Sequence, residues 1–329
     1  MQKRNGTSSG DATFVVALTA STFLMGSSFV VGKVLLHAGF TPFILVGWRF
    51  LVAALATLPL AFLDGGARAL VPRSSGLRVA CLTVLIGLLQ TTGVMGLTFL
   101  AMSSIPASTA AILLFTNPIW VAMLGKIFLG EALSASRAAG LLLGLIGVCF
   151  AIGVGPELLS GGNVMIGELL GLASSLCWAI ATIINKRARL PLKPWTMNFW
   201  QMLVGSMALL ALAYAHGEHW PDHATPSQWG WFFWLAIPAS TGSFGLWFIA
   251  LHRGGATRAS SFLFLTPLFT VILSFLVLDS SLSLQQAVGG GLIGLSLWLV
   301  NRTVRHKASA RNSVTVVPTI PTNIGETNQ

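Results

Sequence analysis

The chain has very few charged residues for its length. Only 9% of its 329 residues are Asp, Glu, Lys or Arg, whereas 54% are hydrophobic and the mean hydropathy is +0.79. A soluble domain carries about a quarter of its residues as charged side chains, and no aqueous core could hide this much apolar surface. The composition therefore excludes a soluble protein and predicts that the partner of this surface is the lipid bilayer.

Groups that usually carry chemistry are also scarce. The three cysteines all lie inside apolar runs, which predicts small packing residues and neither a disulfide nor a metal site. All six histidines fall at the ends of these runs, in connections or in the tail. A membrane-embedded hydrolase or metalloprotease needs a histidine within the membrane. We therefore expect no enzyme, no catalytic residue, no metal and no cofactor.

A phosphate-binding loop is absent from the sequence. Gly32-Lys33 and Gly125-Lys126 are followed by Val34 and Ile127, where that loop needs Ser or Thr. This absence argues against ATP-driven transport by this chain alone.

What the sequence does contain is a series of apolar runs of about 20 residues, the length that crosses a bilayer as a helix. They predict an all-α integral membrane protein with ten transmembrane helices. The predicted spans are 12–36, 43–63, 77–101, 106–128, 135–154, 164–186, 195–215, 229–251, 257–278 and 284–301.

A duplication divides these spans into two sets of five. Segment 91–102 (TTGVMGLTFLAM) returns 149 positions later as 240–251 (STGSFGLWFIAL). Each copy holds an odd number of spans, so the second copy must sit upside down relative to the first. The sequence thus predicts two inverted five-helix repeats. The predicted divisions are an amino-terminal segment 1–11, repeats 12–154 and 164–301, and a disordered tail 302–329 rich in Ser, Thr, Pro and Asn.

Basic residues cluster in alternate connections between the spans. With the amino terminus in the cytoplasm, all but two of the 19 lysines and arginines fall in cytoplasmic segments. The positive-inside rule therefore places both termini on the cytoplasmic side of the membrane, which we expect to be the cell (inner) membrane. The net charge of +10 is then an orientation signal, so we expect no nucleic-acid partner.

Four motifs follow one another along the chain. They are Phe23–Lys33 (FLMGSSFVVGK), Trp48-Arg49-Phe50, the Asn117-Pro118 to Glu131 stretch with Gly140 beyond it, and Trp200-Gln201-Met202. In this order and spacing they resemble the EamA-type branch of the drug/metabolite transporter superfamily. The resemblance covers nearly the whole chain. It implies a ten-helix, two-repeat carrier of small metabolites, often amino acids or related compounds, which such carriers frequently move out of the cell. One departure is that Ser280 stands at the position matching Glu131, with Asp279 one place early, so any role of that acidic pair is in doubt.

Two duplicated polar triplets are the first candidate for contact with a solute. They are Gln90, Thr91 and Thr92 in the third span and Ser240, Thr241 and Ser243 in the eighth. Both lie at the predicted bilayer centre, where hydroxyls and an amide can bind a solute without a buried charge. We expect the triplets to face each other across the repeat axis. The alternative is that the hydroxyls bond carbonyls of their own helix.

Aromatic residues near the triplets suggest the wall of a pocket. Trp178 in the sixth span, with Phe244 and Trp247 in the eighth, would give an apolar wall beside a polar floor. That is the usual composition of a small-molecule site. Ordinary helix packing is the alternative interpretation for these tryptophans.

Two prolines at matching positions predict breaks in the fourth and ninth spans. Pro118 and Pro267 each lack an amide hydrogen and push on the carbonyl four residues earlier. In lipid such a carbonyl needs another partner. Asn117 is a candidate for that partner or for the solute site. The breaks serve either packing or gating.

Three charged residues lie within predicted spans and are possible charge partners. Lys33 falls at the carboxyl end of the first span, where it can snorkel and complement the helix dipole. Glu168 opens the sixth span. Arg49 needs an anionic or carbonyl partner, for which Glu168 and a substrate carboxylate are the candidates.

Together these features predict a secondary transporter of a small organic metabolite that works by alternating access without ATP. The family resemblance implies that it exports amino acids or related compounds. One alternative is a broad drug or cation efflux protein, against which the lack of a midplane carboxylate argues. Another is a non-transporting membrane receptor or scaffold. The glycine-rich fifth and tenth spans either join the two repeats or form a homodimer.

The charge distribution makes the topology testable. In a variant without the three native cysteines, we expect Ser227→Cys to react with a membrane-impermeant thiol reagent from outside the cell, and Arg189→Cys only from inside, because basic connections stay cytoplasmic. Labelling of Arg189→Cys from outside would overturn both the topology and the inverted repeat.

Overall fold

The computed structural model describes residues 6–66, 70, 76–130, 139–140, 142–144, 146–147, 150, 162–250, 261–280, 282–285, 287–296 and 298–299. All regular structure within these ranges is helical. The predicted tail 302–329, Glu131 and much of the predicted fifth span lie outside the described residues.

The described helices follow the predicted spans. In chain order they are α1 (Gly6–His37), α2 (Pro42–Gly65), α3 (Leu77–Met102), α4 (Ala107–Leu129), α5 (the described helical residues between 139 and 150), α6 (Asn163–Ala188), α7 (Pro194–Ala215), α8 (Pro226–Ala250), α9 (Leu265–Leu278) and α10 (Ala287–Ser296). By length and composition, seven of them can cross a membrane, namely α1 to α4 and α6 to α8. Helices α9 and α10 are apolar but shorter. The all-helical class holds throughout the described ranges, and ten crossings remain a prediction.

The bundle has two ends that differ in charge. We call the end at connection 189–193 the basic end, because Lys186, Arg187, Arg189 and Lys193 lie there. At the opposite end, the Ile44 amide donates to Glu218 Oε2 at 3.1 Å, and Trp48 Nε1 donates to the Tyr214 hydroxyl at 3.3 Å. These contacts join the start of α2 to the end of α7. The two helices therefore run antiparallel, as equivalent helices of an inverted repeat must.

Helices α3 and α8 each contain a π-helical segment at equivalent positions. The segments are Leu88–Gly96 and Ile237–Gly242, and their first residues are 149 positions apart, the offset of the sequence repeat. In α8 the cause is local, because Pro238 offers no amide hydrogen and Ser240 Oγ donates to the Leu235 carbonyl at 2.8 Å. Segments of this kind are frequent at functional sites.

Each π segment packs on the second helix of the other half. Thr91 Oγ1 donates to the Gln201 carbonyl on α7 at 2.9 Å, and Thr92 Oγ1 to the Gly205 carbonyl at 3.0 Å. Likewise, Thr241 Oγ1 donates to the Ala53 carbonyl on α2 at 2.9 Å. The π segments thus connect the two halves of the chain.

Helix α4 is divided in two at its proline. Its parts are Ala107–Leu114 and Asn117–Leu129, so Pro118 occupies the first turn of the second part, where a missing amide hydrogen is tolerated. Pro267 also lies in a first turn, because a 3₁₀ helix, Ser261–Phe264, precedes α9. Neither proline therefore sits within an unbroken α-helix.

The glycines of α5 and α10 bring these helices together within one chain. A Cβ placed on Gly147 would lie 2.9 Å from the Ile293 amide nitrogen, and one on Gly144 would lie 2.6 Å from Ser296 Oγ. Ser296 Oγ also donates to the Gly140 carbonyl at 2.5 Å. This face of α5 is therefore occupied, and a homodimer through the remaining glycines of α10 stays a prediction.

Close approach of α3 to α7 depends on Gly205. A Cβ there would lie 2.2 Å from Thr91 Cβ, so we expect Gly205→Ala to destabilise the protein by about 1–3 kcal/mol through overpacking. Gly230→Ala is the matched control, because nothing lies within 4 Å of its added Cβ. Thermal unfolding in detergent, followed by size-exclusion chromatography, measures the difference. Equal melting temperatures for both variants would contradict the close crossing.

Candidate functional site

A cavity of about 370 Å³ lies between α3, α6, α7 and α8. It extends from the middle of these helices to connection 189–193, where Leu190 and Leu192 line it. The cavity therefore reaches the basic end of the bundle.

Uncharged polar side chains form one part of the cavity wall. They are Gln90 from α3, Thr182 and Asn185 from α6, and Asn198 and Gln201 from α7. Asn198 and Gln201 share a face of α7 because they are three residues apart. The Asn198 side-chain nitrogen is buried and has no hydrogen-bond partner within the described part of the chain. Asn198 therefore carries an unused donor in a residue that lines the cavity.

Aromatic side chains form the other part of the wall. They are Trp178 on α6 with Phe244, Trp247 and Phe248 on α8. Trp178 meets Phe115 edge-to-face, with ring centroids 5.8 Å apart, and Phe115 lies at the division of α4. The aromatic wall thus contacts the point where α4 is broken.

Four of the predicted site residues line this cavity together: Gln90, Trp178, Phe244 and Trp247. Sequence reasoning missed Asn185, Asn198 and Gln201. The available signal was the presence of uncharged amides near or within apolar spans, because a side-chain amide in a membrane helix needs a polar partner.

The remaining triplet residues are engaged elsewhere. Thr91 and Thr92 bond α7, whereas Ser240 and Thr241 are buried against α2, where Thr241 also bonds Thr57 at 3.1 Å. We expected the two triplets to face each other; in the structure, members of each triplet bond the second helix of the other half. Ser243 Oγ donates to the Ala239 carbonyl at 2.9 Å. This hydroxyl therefore bonds its own helix, which is the alternative interpretation of the triplets.

Asn117 is also bonded to a neighbouring helix. Its side-chain nitrogen donates to the Ser175 carbonyl on α6 at 3.4 Å, and Thr116 Oγ1 lies 2.9 Å from Ser175 Oγ. The expected bond to the Leu114 carbonyl is therefore replaced by a bond that ties the break in α4 to α6.

Arg49 is buried on α2, and no acidic side chain contacts it within the described residues. Its Nε donates to Ser240 Oγ at 3.0 Å, and only 2% of the residue is exposed. Its Nη1 is buried with no hydrogen-bond partner in the described structure. Of the two candidate partners, Glu168 therefore does not pair with Arg49 in this structure, and a substrate carboxylate stays a prediction.

Lys33 and Glu168 take other positions. The Lys33 ammonium donates to the Met102 carbonyl and, at 3.1 Å, to the Ile105 carbonyl, so it caps the carboxyl end of α3 and not that of its own helix. Glu168 is buried on α6, with no cation beside it among the described residues. Neither residue lines the cavity.

A family model and several proteins of known sequence match this chain. The model of the EamA-like transporter family matches residues 13–153 and 165–302. A probable amino-acid metabolite efflux pump of Escherichia coli is 29% identical over 83% of this chain and 90% of its own length. An uncharacterized transporter of Bacillus subtilis is 25% identical over 87% of this chain and 95% of its own. A WAT1-related chloroplastic protein of Arabidopsis thaliana is 27% identical over 89% of this chain and 71% of its own length.

A solved crystal structure shares the fold. It superposes with a TM-score of 0.61 over 90% of this chain and 99% of that protein, at 18% sequence identity. At this identity the match concerns the fold alone.

Proposed function

Because the chain belongs to the EamA-like transporter family, we propose that it is a secondary transporter that exports amino acids or related small metabolites. Membership makes the chain a multi-pass membrane transporter and not an enzyme. The solute, the direction of transport and the mechanism are our proposal.

The cavity between α3, α6, α7 and α8 carries this proposal. Its volume of about 370 Å³ falls in the ~300–1,000 Å³ range of small-molecule sites. Amides of Asn198 and Gln201 face an aromatic wall that includes Trp178 and Trp247. Such a site suits a solute with both polar and apolar parts, as many amino acids have. The name of the Escherichia coli relative supports the same class of solute.

The position of the cavity supports loading from the cytoplasm. It reaches the basic end, which the positive-inside rule assigns to the cytoplasmic side of the cell membrane. A solute entering there would leave from the opposite end after the two repeats move against each other. Thr91 and Thr241, which bond the π segments to the other half, are placed to hold that arrangement.

Cation efflux is the second candidate function, and the cavity argues against it. No charged residue is among the described residues that line it. A site for cations normally offers a carboxylate or an aromatic cage, and only the aromatic part exists here. A receptor or scaffold would need no cavity of this composition.

Transport is tested with inside-out vesicles from cells that express the chain. We expect uptake of at least one member of a panel of labelled amino acids, absent from vesicles without the chain. Asn198→Leu should reduce this uptake about fivefold, because a hydrogen bond worth ~1 kcal/mol is lost. Ser206→Ala is the control, since its buried hydroxyl bonds the Leu203 carbonyl on the same helix.

Two outcomes would contradict the proposal. Uptake of labelled tetraphenylphosphonium with no uptake of amino acids would favour cation efflux. No uptake of any compound by correctly inserted protein would exclude both transport functions for the panel and restore the receptor alternative.

Energy coupling follows from the lack of acidic residues in the cavity. Proton-driven carriers commonly place a titratable residue in the path, and Glu168 is buried outside the cavity. We therefore expect proteoliposomes to show facilitated transport or exchange, with no accumulation driven by a pH gradient at zero membrane potential. Accumulation that Glu168→Gln abolishes would instead identify Glu168 as the coupling residue.

A further inference from the structure

The repeat gives each cavity residue an equivalent at the opposite end of the bundle. At the offset of 149, Trp247 and Phe248 correspond to Thr98 and Phe99. At the offset of 153 that aligns Lys33 with Lys186 in the first helix of each half, Asn185 corresponds to Gly32. If the repeats are inverted, these equivalents mark where a matching cavity would lie on the other side.

That matching region is closed in this structure. A Cβ on Gly32 would lie 2.6 Å from Phe99 Cε1, so the ring sits directly on the glycine. Phe99 and Thr98 are each only 1% exposed. The equivalent residues Trp247 and Phe248 line an open cavity, whereas Thr98 and Phe99 are packed inside the bundle.

Arg49 lies beside this closed contact. Its guanidinium carbon is 5.5 Å from the Phe99 ring centroid and 4.8 Å from that of Phe50. These ring contacts and the bond to Ser240 leave Nη1 without a partner within the described structure. A buried cation with an unused donor is costly in this state, and a charge retained at such a cost within the membrane is a candidate for a functional role.

The charge exists on one side only. At the offset of 152 that aligns Trp48 with Trp200, Arg49 corresponds to Gln201, so the open cavity at the basic end has an uncharged amide at this position. A guanidinium presents two parallel donors that match a carboxylate. Arg49 therefore has the chemistry of an anion-binding group in a region that is now shut.

We propose that Gly32, Phe99 and Arg49 form a second, latent solute site at the opposite end of the bundle. Separation of Phe99 from Gly32 opens it, and Arg49 then binds the carboxylate or another anionic group of the departing solute. The proposal rests on the transport function proposed above. It assigns the substrate class to compounds that carry an anionic group.

Arginine modification tests whether the site opens. In the full chain in lipid nanodiscs, we expect phenylglyoxal to modify Arg49 slowly relative to exposed Arg187, as measured by mass spectrometry of the peptides. Phe99→Ala should raise the Arg49 rate several-fold by removing the ring. Gly32→Ala, which pushes the ring away, is a second variant with the same expected effect. Phe248→Ala at the equivalent position is the control and should leave the Arg49 rate unchanged.

Competition then tests the ligand class. In the variant that exposes Arg49, sodium benzoate should protect Arg49 several-fold, whereas neutral benzamide, with the same ring, should not, and neither should protect Arg187. Equal protection by both compounds, or by neither, overturns the anion site. An Arg49 that stays unreactive in both folded variants overturns the latent opening. Neither measurement requires transport. A failure of the latent-site proposal can therefore be told apart from a negative result in the vesicle screen.

Discussion

Hydroxyl groups buried in a membrane bundle have no bulk water to bond, so a carbonyl of the same or a neighbouring helix is their usual partner. In this chain Thr91, Thr92 and Thr241 find theirs on the second helix of the other half. The bonds form because the helices approach closely, which Gly205 permits at the α3–α7 crossing. The rest of the arrangement depends on these two crossings, since they hold the halves together and set the position of the cavity between α3, α6, α7 and α8.

One helix serves both packing and solute contact in each π segment. Successive residues of a helix point in different directions, so Gln90 lines the cavity while its neighbour Thr91 bonds α7. In α8, Ser240 and Thr241 face α2, whereas Phe244, just beyond the segment, lines the cavity. The duplicated triplets therefore act mainly as connections between the halves, and only one of their members borders the open space.

The two ends of the bundle are built from related segments and yet differ in state. At the basic end, Asn185 and Phe248 stand apart and line a cavity. At the opposite end, their equivalents Gly32 and Phe99 are in contact. A pseudosymmetric protein that is closed at one end and open at the other has a natural second conformation with the states exchanged. The difference between Arg49 and its equivalent Gln201 nevertheless makes the two ends chemically unequal.

By itself, the sequence determined the membrane class, the duplication, the approximate helix positions and the family, because hydropathy over 20 residues and a constant repeat offset are properties of the chain alone. It also identified Gln90, Trp178, Phe244 and Trp247 as candidates, since polar and aromatic residues near the middle of a span are visible in one dimension. It did not reveal that Asn198 shares a cavity with them, that Arg49 bonds Ser240 and not Glu168, or that Lys33 caps α3. Only the tertiary structure decided those points, because the partner of a buried polar group is set by which helices touch and at what rotation, and residues 110 or 191 positions apart carry no local signal of their contact.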